Sequence, residues 1–137
     1  AVRVRVVDLH AQVVADAAAA RGFRRLGITG TRWLVAGPVY ADVLQARGLA
    51  AVRPAAPARD PMTRTIITDL VAGVVRPPSV AACQDIIAGL AAVRGDAVVR
   101  GCTEIPLIID DTNSPLPTLD STRLLARAAL ARALDAA

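Results

Sequence analysis

Short apolar segments alternate along this chain with longer segments of helical periodicity, and this pattern restricts the possible folds more than any other property of the sequence. The short apolar segments recur at residues 26–29, 49–52 and 97–99, and helical segments separate them. Such alternation is typical of βαβ units, in which parallel strands form one sheet that helices cover on both faces. The sequence therefore predicts an α/β fold with a parallel sheet flanked by helices.

Glycine, proline and polar residues set the expected boundaries of the remaining elements. Ser79 is the expected N-cap of the helix after Pro78, and Asp120 or Ser121 is the expected N-cap of the last helix. We expect further strands at residues 2–7 and 116–119, a loop at 53–61, and helices at 9–20, 34–45, 62–75, 79–95 and 122–136.

The composition excludes a disordered chain and gives no sign of a membrane protein. Apolar residues make up 54% of the 137 residues, which is enough apolar surface to offset the entropy lost on ordering. No apolar run reaches the roughly 18–20 residues of a membrane-spanning helix. The amino end shows no signal-peptide pattern, so we expect a cytoplasmic protein whose two cysteines are reduced.

The net charge of +4 raises the question of nucleic-acid binding. All sixteen basic residues are arginine, and they are scattered along the chain rather than clustered. Only three aromatic residues, Phe23, Trp33 and Tyr40, are available to stack on bases. We therefore expect no nucleic-acid partner.

Two turns at predicted strand ends are the expected places for chemistry, because ligands of open α/β sheets bind beyond the carboxyl ends of the strands. The turns are residues 29–32 and residues 101–104, and the second contains Cys102. A helix is expected to begin just after Cys102, and the dipole and free N–H groups of a helix start lower the pKa of a thiol. Cys102 is therefore either a nucleophile or base, or a small side chain packed at a strand end.

The neighbours of Cys102 favour a functional interpretation without excluding the structural one. Thr103 adds a hydroxyl, and Glu104 is the only glutamate in a chain with eleven aspartates. A glutamate in a first helical turn is also what the helix dipole alone selects. Cys83, by contrast, lies in an apolar helical stripe and is expected in the core. His10 has no second ligand at a suitable spacing, so we expect no metal site.

Several segments, in order along the chain, resemble one protein family. Residues 101–109 read Gly-Cys-Thr-Glu-Ile-Pro-Leu-Ile-Ile, and residues 114–122 read Ser-Pro-Leu-Pro-Thr-Leu-Asp-Ser-Thr before an Ala-rich helix. The turn at residues 30–40 and the helix exit at residues 73–77 precede them. Together these segments resemble the carboxyl-terminal portion of the aspartate/glutamate racemase family. Glu104, where glutamate racemases usually have His, favours the aspartate-racemase-like branch.

The resemblance implies a cofactor-independent isomerase with two similar α/β domains, each Rossmann-like or flavodoxin-like, and a small acidic amino acid or related carboxylate between them. Two cysteines would face each other across the substrate Cα, one removing a proton and the other delivering one. Cys102 would be one of this pair, and Glu104 would polarise its surroundings or meet the substrate ammonium. Thr31, Thr103 and Arg76 would bind carboxylates, although Arg76 is equally well explained as a solvated cation at a helix end.

The chain departs from the family pattern at two places. The Cys-Asn-Thr turn that carries the partner cysteine in the family is absent, and Leu34 stands where family members commonly have Thr. We therefore expect residues 24–109 to form one complete racemase-like domain, and residues 1–23 and 110–137 to belong to a second, incomplete domain. On this interpretation the chain alone is catalytically incomplete.

Three explanations for the missing cysteine stay open. The residues are part of a longer racemase, or a half-length homologue that binds a small acidic amino acid without racemising it, or an interaction module. The strands at 2–7 and 116–119 and the first helix would then lack their usual partners, and exposed strand edges pair readily with another chain. We therefore expect a homo-oligomer, and no membrane partner.

Overall fold

A computed structural model describes residues 6–135 as an α/β fold with a four-stranded parallel sheet, which confirms the predicted fold class. Its main elements are α1 (Val6–Ala20), β1 (Arg25–Thr29), α2 (Arg32–Ala36), α3 (Pro38–Ala46), β2 (Ala50–Val52), α4 (Ala56–Arg64), α5 (Pro77–Ala92), β3 (Ala97–Arg100), β4 (Thr118–Asp120) and α6 (Ser121–Asp135). A π-helical turn at Thr65–Asp69 and a 3₁₀ turn at Leu70–Ala72 continue α4, and another 3₁₀ turn spans Ile105–Leu107.

The strand order β2-β1-β3-β4 determines where a ligand can bind. Leu26 of β1 lies opposite Ala51 on one side and Ala97 on the other, so β1 and β3 are neighbours in the middle of the sheet. The chain moves outward from β1 to β2 and then crosses back over β1 to reach β3. The strand order therefore reverses between β1 and β3, and such a switch point opens a crevice at the carboxyl ends of the strands.

Each face of the sheet carries its own apolar core, because side chains alternate along buried strands. Leu26 and Ile28 of β1 belong to the first core, with residues of α1 and α3. Gly27 lies between them and faces Leu90 of α5, whose Cδ1 atom would be 2.7 Å from a Cβ at this position. The missing side chain therefore lets α5 lie close to the sheet on the second face.

The predicted loop at residues 53–61 is wrong, because α4 begins at Ala56. Pro57 stands in the first turn, where a missing N–H is tolerated because no intrahelical acceptor is available. Met62 and Ile66 are buried in the second core on the helical turns that follow. Burial of this apolar face outweighs the weak helix propensity of a proline-rich segment.

Other boundaries also differ from those expected. The helix predicted at residues 34–45 is interrupted at Gly37, which is extended and precedes α3. Ser79 is not an N-cap, because α5 begins at Pro77 with Arg76 at the N-cap. The expected cap of the last helix is confirmed: Asp120 Oδ1 accepts a hydrogen bond from the Arg123 amide at 3.0 Å.

The ends of the chain contribute to the same structure as its middle. Residues 6 and 7 are helical rather than extended, and the rest of the strand predicted at residues 2–7 lies outside the described residues. Strand β4 pairs with β3 in the one sheet, and α1 packs against α3 and α6. The division into a domain at 24–109 and pieces of a second domain stays a prediction. Within residues 6–135, no helix is both long enough and apolar enough to cross a membrane.

Candidate active site

The two turns singled out in the sequence lie side by side at the carboxyl ends of β1 and β3. The Gly101 amide donates a hydrogen bond to the Thr29 carbonyl oxygen at 2.9 Å, which ties the second turn directly to the first. Inside the sheet, the Thr29 hydroxyl donates to the Val99 carbonyl at 2.7 Å. The turns therefore flank the switch point, where a ligand is expected to bind.

Glycine at position 101 is what allows the turns to approach so closely. A Cβ on Gly101 would collide with the Thr29 carbonyl oxygen and come within 2.5 Å of Leu34 Cδ2. Gly30 has a φ of +150° and faces the same Leu34 methyl group. The apolar Leu34 side chain thus lies over both glycines, at a position where the family resemblance led us to expect threonine.

Cys102 is partly buried against the second core, next to the junction of the two turns. The backbone amides of Glu104 and Ile105 point at its sulfur and lower the pKa of the thiol, but desolvation by burial is the larger effect and raises it. The predicted net lowering of the Cys102 pKa is therefore wrong. The element after Cys102 is a three-residue 3₁₀ turn, not an α-helix with a full dipole.

Thr103 and Glu104 form a hydrogen-bonded pair beside Cys102. The Thr103 hydroxyl donates to Glu104 Oε1 at 2.8 Å. After burial, which is the largest effect, the negative charge of Glu104 also raises the pKa of Cys102. Glu104 therefore acts on the thiol electrostatically, and Thr103 bonds to the same carboxylate.

Thr31 lies in the first turn, and α4 holds that turn in place. The Arg32 amide donates to the Thr63 hydroxyl at 2.8 Å, and the Gly30 amide faces the Met62 sulfur at 3.4 Å. Thr31 is the N-cap residue of α2, but its side chain makes no capping hydrogen bond. Its half-buried hydroxyl is therefore not used in the helix cap and can bind a ligand.

Arg76 is the predicted site residue that the structure does not join to the others. Its exposed side chain pairs with Asp69, with 3.3 Å between Nε and Oδ2. Its backbone carbonyl accepts hydrogen bonds from the first turn of α5. Among the described residues, these contacts link Arg76 to the neighbouring helical segments and not to either of the two turns.

The second cysteine is a core residue, as expected. Cys83 is 5% exposed within the second core. Burial raises its pKa to about 12, and the nearby Cys102 contributes to the same shift. Cys83 therefore offers neither the exposure nor the thiolate that a second base would need.

Sequence reasoning missed a buried polar group in the first core. The hydroxyl of Tyr40, which is 1% exposed, contacts His10 Nδ1 at 3.3 Å. Burial raises the pKa of Tyr40, with a smaller contribution from Cys102, and burial lowers the pKa of His10. The only tyrosine and the only histidine of the chain were the available signals, but nothing in their sequence spacing indicated that they meet.

No metal centre is formed by the part of the chain that the structure describes. Within it, no three His, Cys, Asp or Glu side chains lie together as potential ligands. The two turns at the switch point carry one thiol, one carboxylate and two threonine hydroxyls.

Comparison with known proteins shows that the chain resembles racemases in sequence and in fold. A family model described as Asp/Glu/hydantoin racemase matches residues 5–129. The crystal structure of a Yersinia pestis protein classed as an Asp/Glu racemase superposes with a TM-score of 0.86 at 28% identity, covering 91% of this chain and 55% of that one. An aspartate racemase homologue from Pyrococcus horikoshii superposes with a TM-score of 0.82 at 24% identity, covering 90% and 54%.

A third solved structure gives a weaker superposition. An aspartate racemase from Picrophilus torridus matches with a TM-score of 0.63 at 25% identity, covering 90% of this chain and 49% of that chain. The chain thus spans about half the length of each of these three structures.

Proposed function

Because the chain belongs to the Asp/Glu/hydantoin racemase family, we propose that its two turns form one side of an amino-acid racemase site for a small acidic amino acid. The observation that carries the proposal is the position of Cys102. It is a partly exposed thiol at the carboxyl end of β3, beside the switch point and under the electrostatic influence of the Glu104 carboxylate. A thiol at this place can exchange a proton with a carbon atom bound in the crevice.

The raised pKa of Cys102 favours a role as the proton donor in one direction of the reaction. With its pKa above the ordinary range, the resting thiol is protonated at neutral pH. An opposing base would break the Cα–H bond and keep that proton, and Cys102 would give its own proton to the other face of the carbanion. The thiolate left on Cys102 would be stabilised by the amides of Glu104 and Ile105. No cofactor takes part in these transfers.

The opposing base is not supplied by Cys83, because Cys83 is buried in the core. We therefore propose that this chain alone holds one of the two bases and is catalytically incomplete. The remaining base would come from residues outside this chain, as in a two-domain racemase with the substrate between the domains.

Substrate binding is assigned to the polar groups around the thiol. The free hydroxyl of Thr31 and the hydroxyl of Thr103 would donate to a carboxylate, and Glu104 would accept from the substrate ammonium. Arg76 would bind a second carboxylate only after exchanging its ion pair with Asp69 for the ligand. An acidic amino acid carries the two carboxylates and the ammonium that these groups require.

A second candidate function is binding of a small acidic amino acid without racemisation. The burial of Cys83 favours it, because Cys102 is then the one of the two cysteines that a ligand can reach, and racemisation needs two bases. In that case Cys102 contacts the ligand but transfers no proton.

Proton exchange separates the two candidates. We expect the chain, incubated with L-aspartate or D-aspartate in deuterium oxide, to exchange the Cα proton of the enantiomer whose proton faces Cys102, without inverting either one. The exchange should be slow, because only the minor thiolate form of Cys102 can remove a proton. Proton NMR follows the exchange, and chiral chromatography follows inversion. L-glutamate in a parallel incubation reports on the length of the side chain that fits.

Two variants identify the responsible thiol. Cys102→Ala should abolish exchange, whereas Cys83→Ala, which removes the buried thiol, should retain it. Inversion by the chain alone would contradict catalytic incompleteness. Saturable aspartate binding in calorimetry with no exchange would support the second candidate, and neither exchange nor binding would reject both.

A further inference from the structure

A second polar cavity lies away from the two turns, between α1, β4 and α6. Its volume is about 320 Å³, and its walls carry the side chains of Arg21, Arg100, Arg123, Arg127, Asp111 and Asp120. No residue of the turns at 29–32 and 101–104 lines it. Four guanidinium groups against two carboxylates give the cavity an excess of two positive charges.

Both carboxylates are already engaged. Asp111 Oδ1 accepts hydrogen bonds from the amide and the hydroxyl of Thr118, at 2.9 Å and 2.8 Å. Asp120 caps α6 with one oxygen, and its other oxygen lies 3.5 Å from Arg100 Nη2. The two carboxylates therefore balance the charges of Arg100 and Arg21, and the excess of positive charge falls on Arg123 and Arg127.

Arg100 is held rigidly and has an unused donor. Its side chain is 12% exposed, and Nη1 donates to the Ile109 carbonyl at 2.8 Å. Its Nε is buried and has no hydrogen-bond partner among the described residues. Because Nε is not accessible to solvent, a ligand in the cavity would meet Arg100 as a fixed positive charge rather than through this donor.

The other three arginines also line the cavity. Arg21 is fixed by a hydrogen bond from Nη1 to the Thr118 carbonyl at 3.1 Å and by stacking on the Phe23 ring at 4.8 Å. Arg123 and Arg127 are four residues apart, and therefore project from one face of α6. The ion pairs of the described residues involve other arginines, so the charges of Arg123 and Arg127 are not neutralised within this part of the chain.

We propose that this cavity binds a phosphate group, either free phosphate or the phosphoryl group of a small phosphomonoester. A phosphate dianion matches the excess of two positive charges, and its oxygens suit the planar donor pairs of guanidinium groups. The cavity is also large enough for a phosphoryl group with a few attached carbon atoms. The proposal is independent of the racemase proposal, because it concerns a separate set of residues.

Titration calorimetry with inorganic phosphate at constant ionic strength tests the assignment. We expect saturable binding with a dissociation constant of about 1 mM or below. Arg123→Gln and Arg127→Gln should each weaken binding about tenfold, which is the loss of one charge-assisted hydrogen bond. Arg132→Gln removes an exposed arginine of the same helix that does not line the cavity, and it should bind phosphate like the unaltered protein.

Two further titrations distinguish the source of the phosphate and the identity of the site. Glycerol 3-phosphate binding more tightly than phosphate would assign a phosphomonoester, and the reverse order would assign free phosphate. Absence of saturable phosphate binding would overturn the proposal, as would an equal loss in Arg132→Gln. Displacement of phosphate by L-aspartate would overturn the assignment of a separate site.

Discussion

At the scale of single residues, the environment of Cys102 balances two opposing effects. Amide hydrogen bonds stabilise its thiolate, whereas burial and the Glu104 charge stabilise the thiol, and the net shift of the pKa is upward. A sequence can place a cysteine beside free amides, but it does not reveal how deeply the sulfur is buried. The direction of the pKa shift was therefore predicted incorrectly although the position of Cys102 at the carboxyl end of a strand was predicted correctly.

The raised pKa predicts how Cys102 reacts with iodoacetamide. Only the thiolate reacts, so the midpoint of the rate against pH should lie above about 8.5, the ordinary value for cysteine. Glu104→Gln removes a negative charge beside the sulfur and should move the midpoint to lower pH. Peptide mass spectrometry measures the rate at each cysteine separately.

Glu104→Asp serves as the control, because it keeps the charge and shortens the side chain. Its midpoint should stay closer to that of the unaltered protein than the midpoint of Glu104→Gln does. Cys83, with a pKa of about 12 and 5% exposure, should react much more slowly at every pH. A higher midpoint in Glu104→Gln would contradict the electrostatic explanation.

Gly101 offers a second test at this scale. Gly101→Ala should lower the free energy of unfolding by about 1–3 kcal/mol, because the new methyl group collides with the Thr29 carbonyl and with Leu34. Gly89→Ala is the matched control: nothing lies within 4 Å of its added Cβ, and it stands inside α5. It should raise the stability by about 0.5–1 kcal/mol. Urea denaturation measures both, and equal effects would contradict the close approach of the turns.

At the scale of elements, the proline-rich segment was the hardest part of the sequence to interpret. Pro57 and Pro61 led us to expect a loop at residues 53–61, yet α4 runs through both. The helix forms because its buried face packs against α5 and the sheet, an interaction between segments far apart in the chain. The cap at Asp120, in contrast, is local, and its position could be predicted from the sequence.

Two variants of Asp120 separate its capping of α6 from its ion pair with Arg100. Asp120→Asn keeps a capping oxygen for the Arg123 amide and loses the charge opposite Arg100, whereas Asp120→Ala loses both. Asp120→Ala should therefore be less stable than Asp120→Asn by about 0.5–2 kcal/mol. Urea denaturation measures the difference, and equal stabilities would mean that the Asp120 oxygen contributes nothing to α6.

At the scale of the whole molecule, the sheet ends in two edge strands. Within the described residues β2 pairs only with β1, and β4 pairs only with β3. Large apolar side chains are also exposed, among them Trp33 at 59% and Val71 at 64%. The first helix was expected to lack partners, but α1 packs against α3 and α6. The two open edge strands still lead us to expect a homo-oligomer, because exposed strand edges pair readily with another chain.

Sedimentation equilibrium tests this expectation. At tens of micromolar we expect a particle heavier than the 14.2 kDa chain. Replacing exposed Trp33 with Ser should reduce association if the apolar patch contributes, whereas Leu134→Ser, at the far end of α6, provides a comparison. A monomer at these concentrations would count against a homo-oligomer.

Local patterns were enough to predict the α/β class, the parallel sheet, the family and the two turns that carry Cys102 and Thr31. These follow from local periodicity, from strand ends and from short motifs, all of which are contained in neighbouring residues. The folded structure was needed to show the raised pKa of Cys102, the contact of Tyr40 with His10, and the grouping of four arginines around one cavity. Burial and the meeting of distant side chains depend on how the elements pack, and no local pattern encodes them.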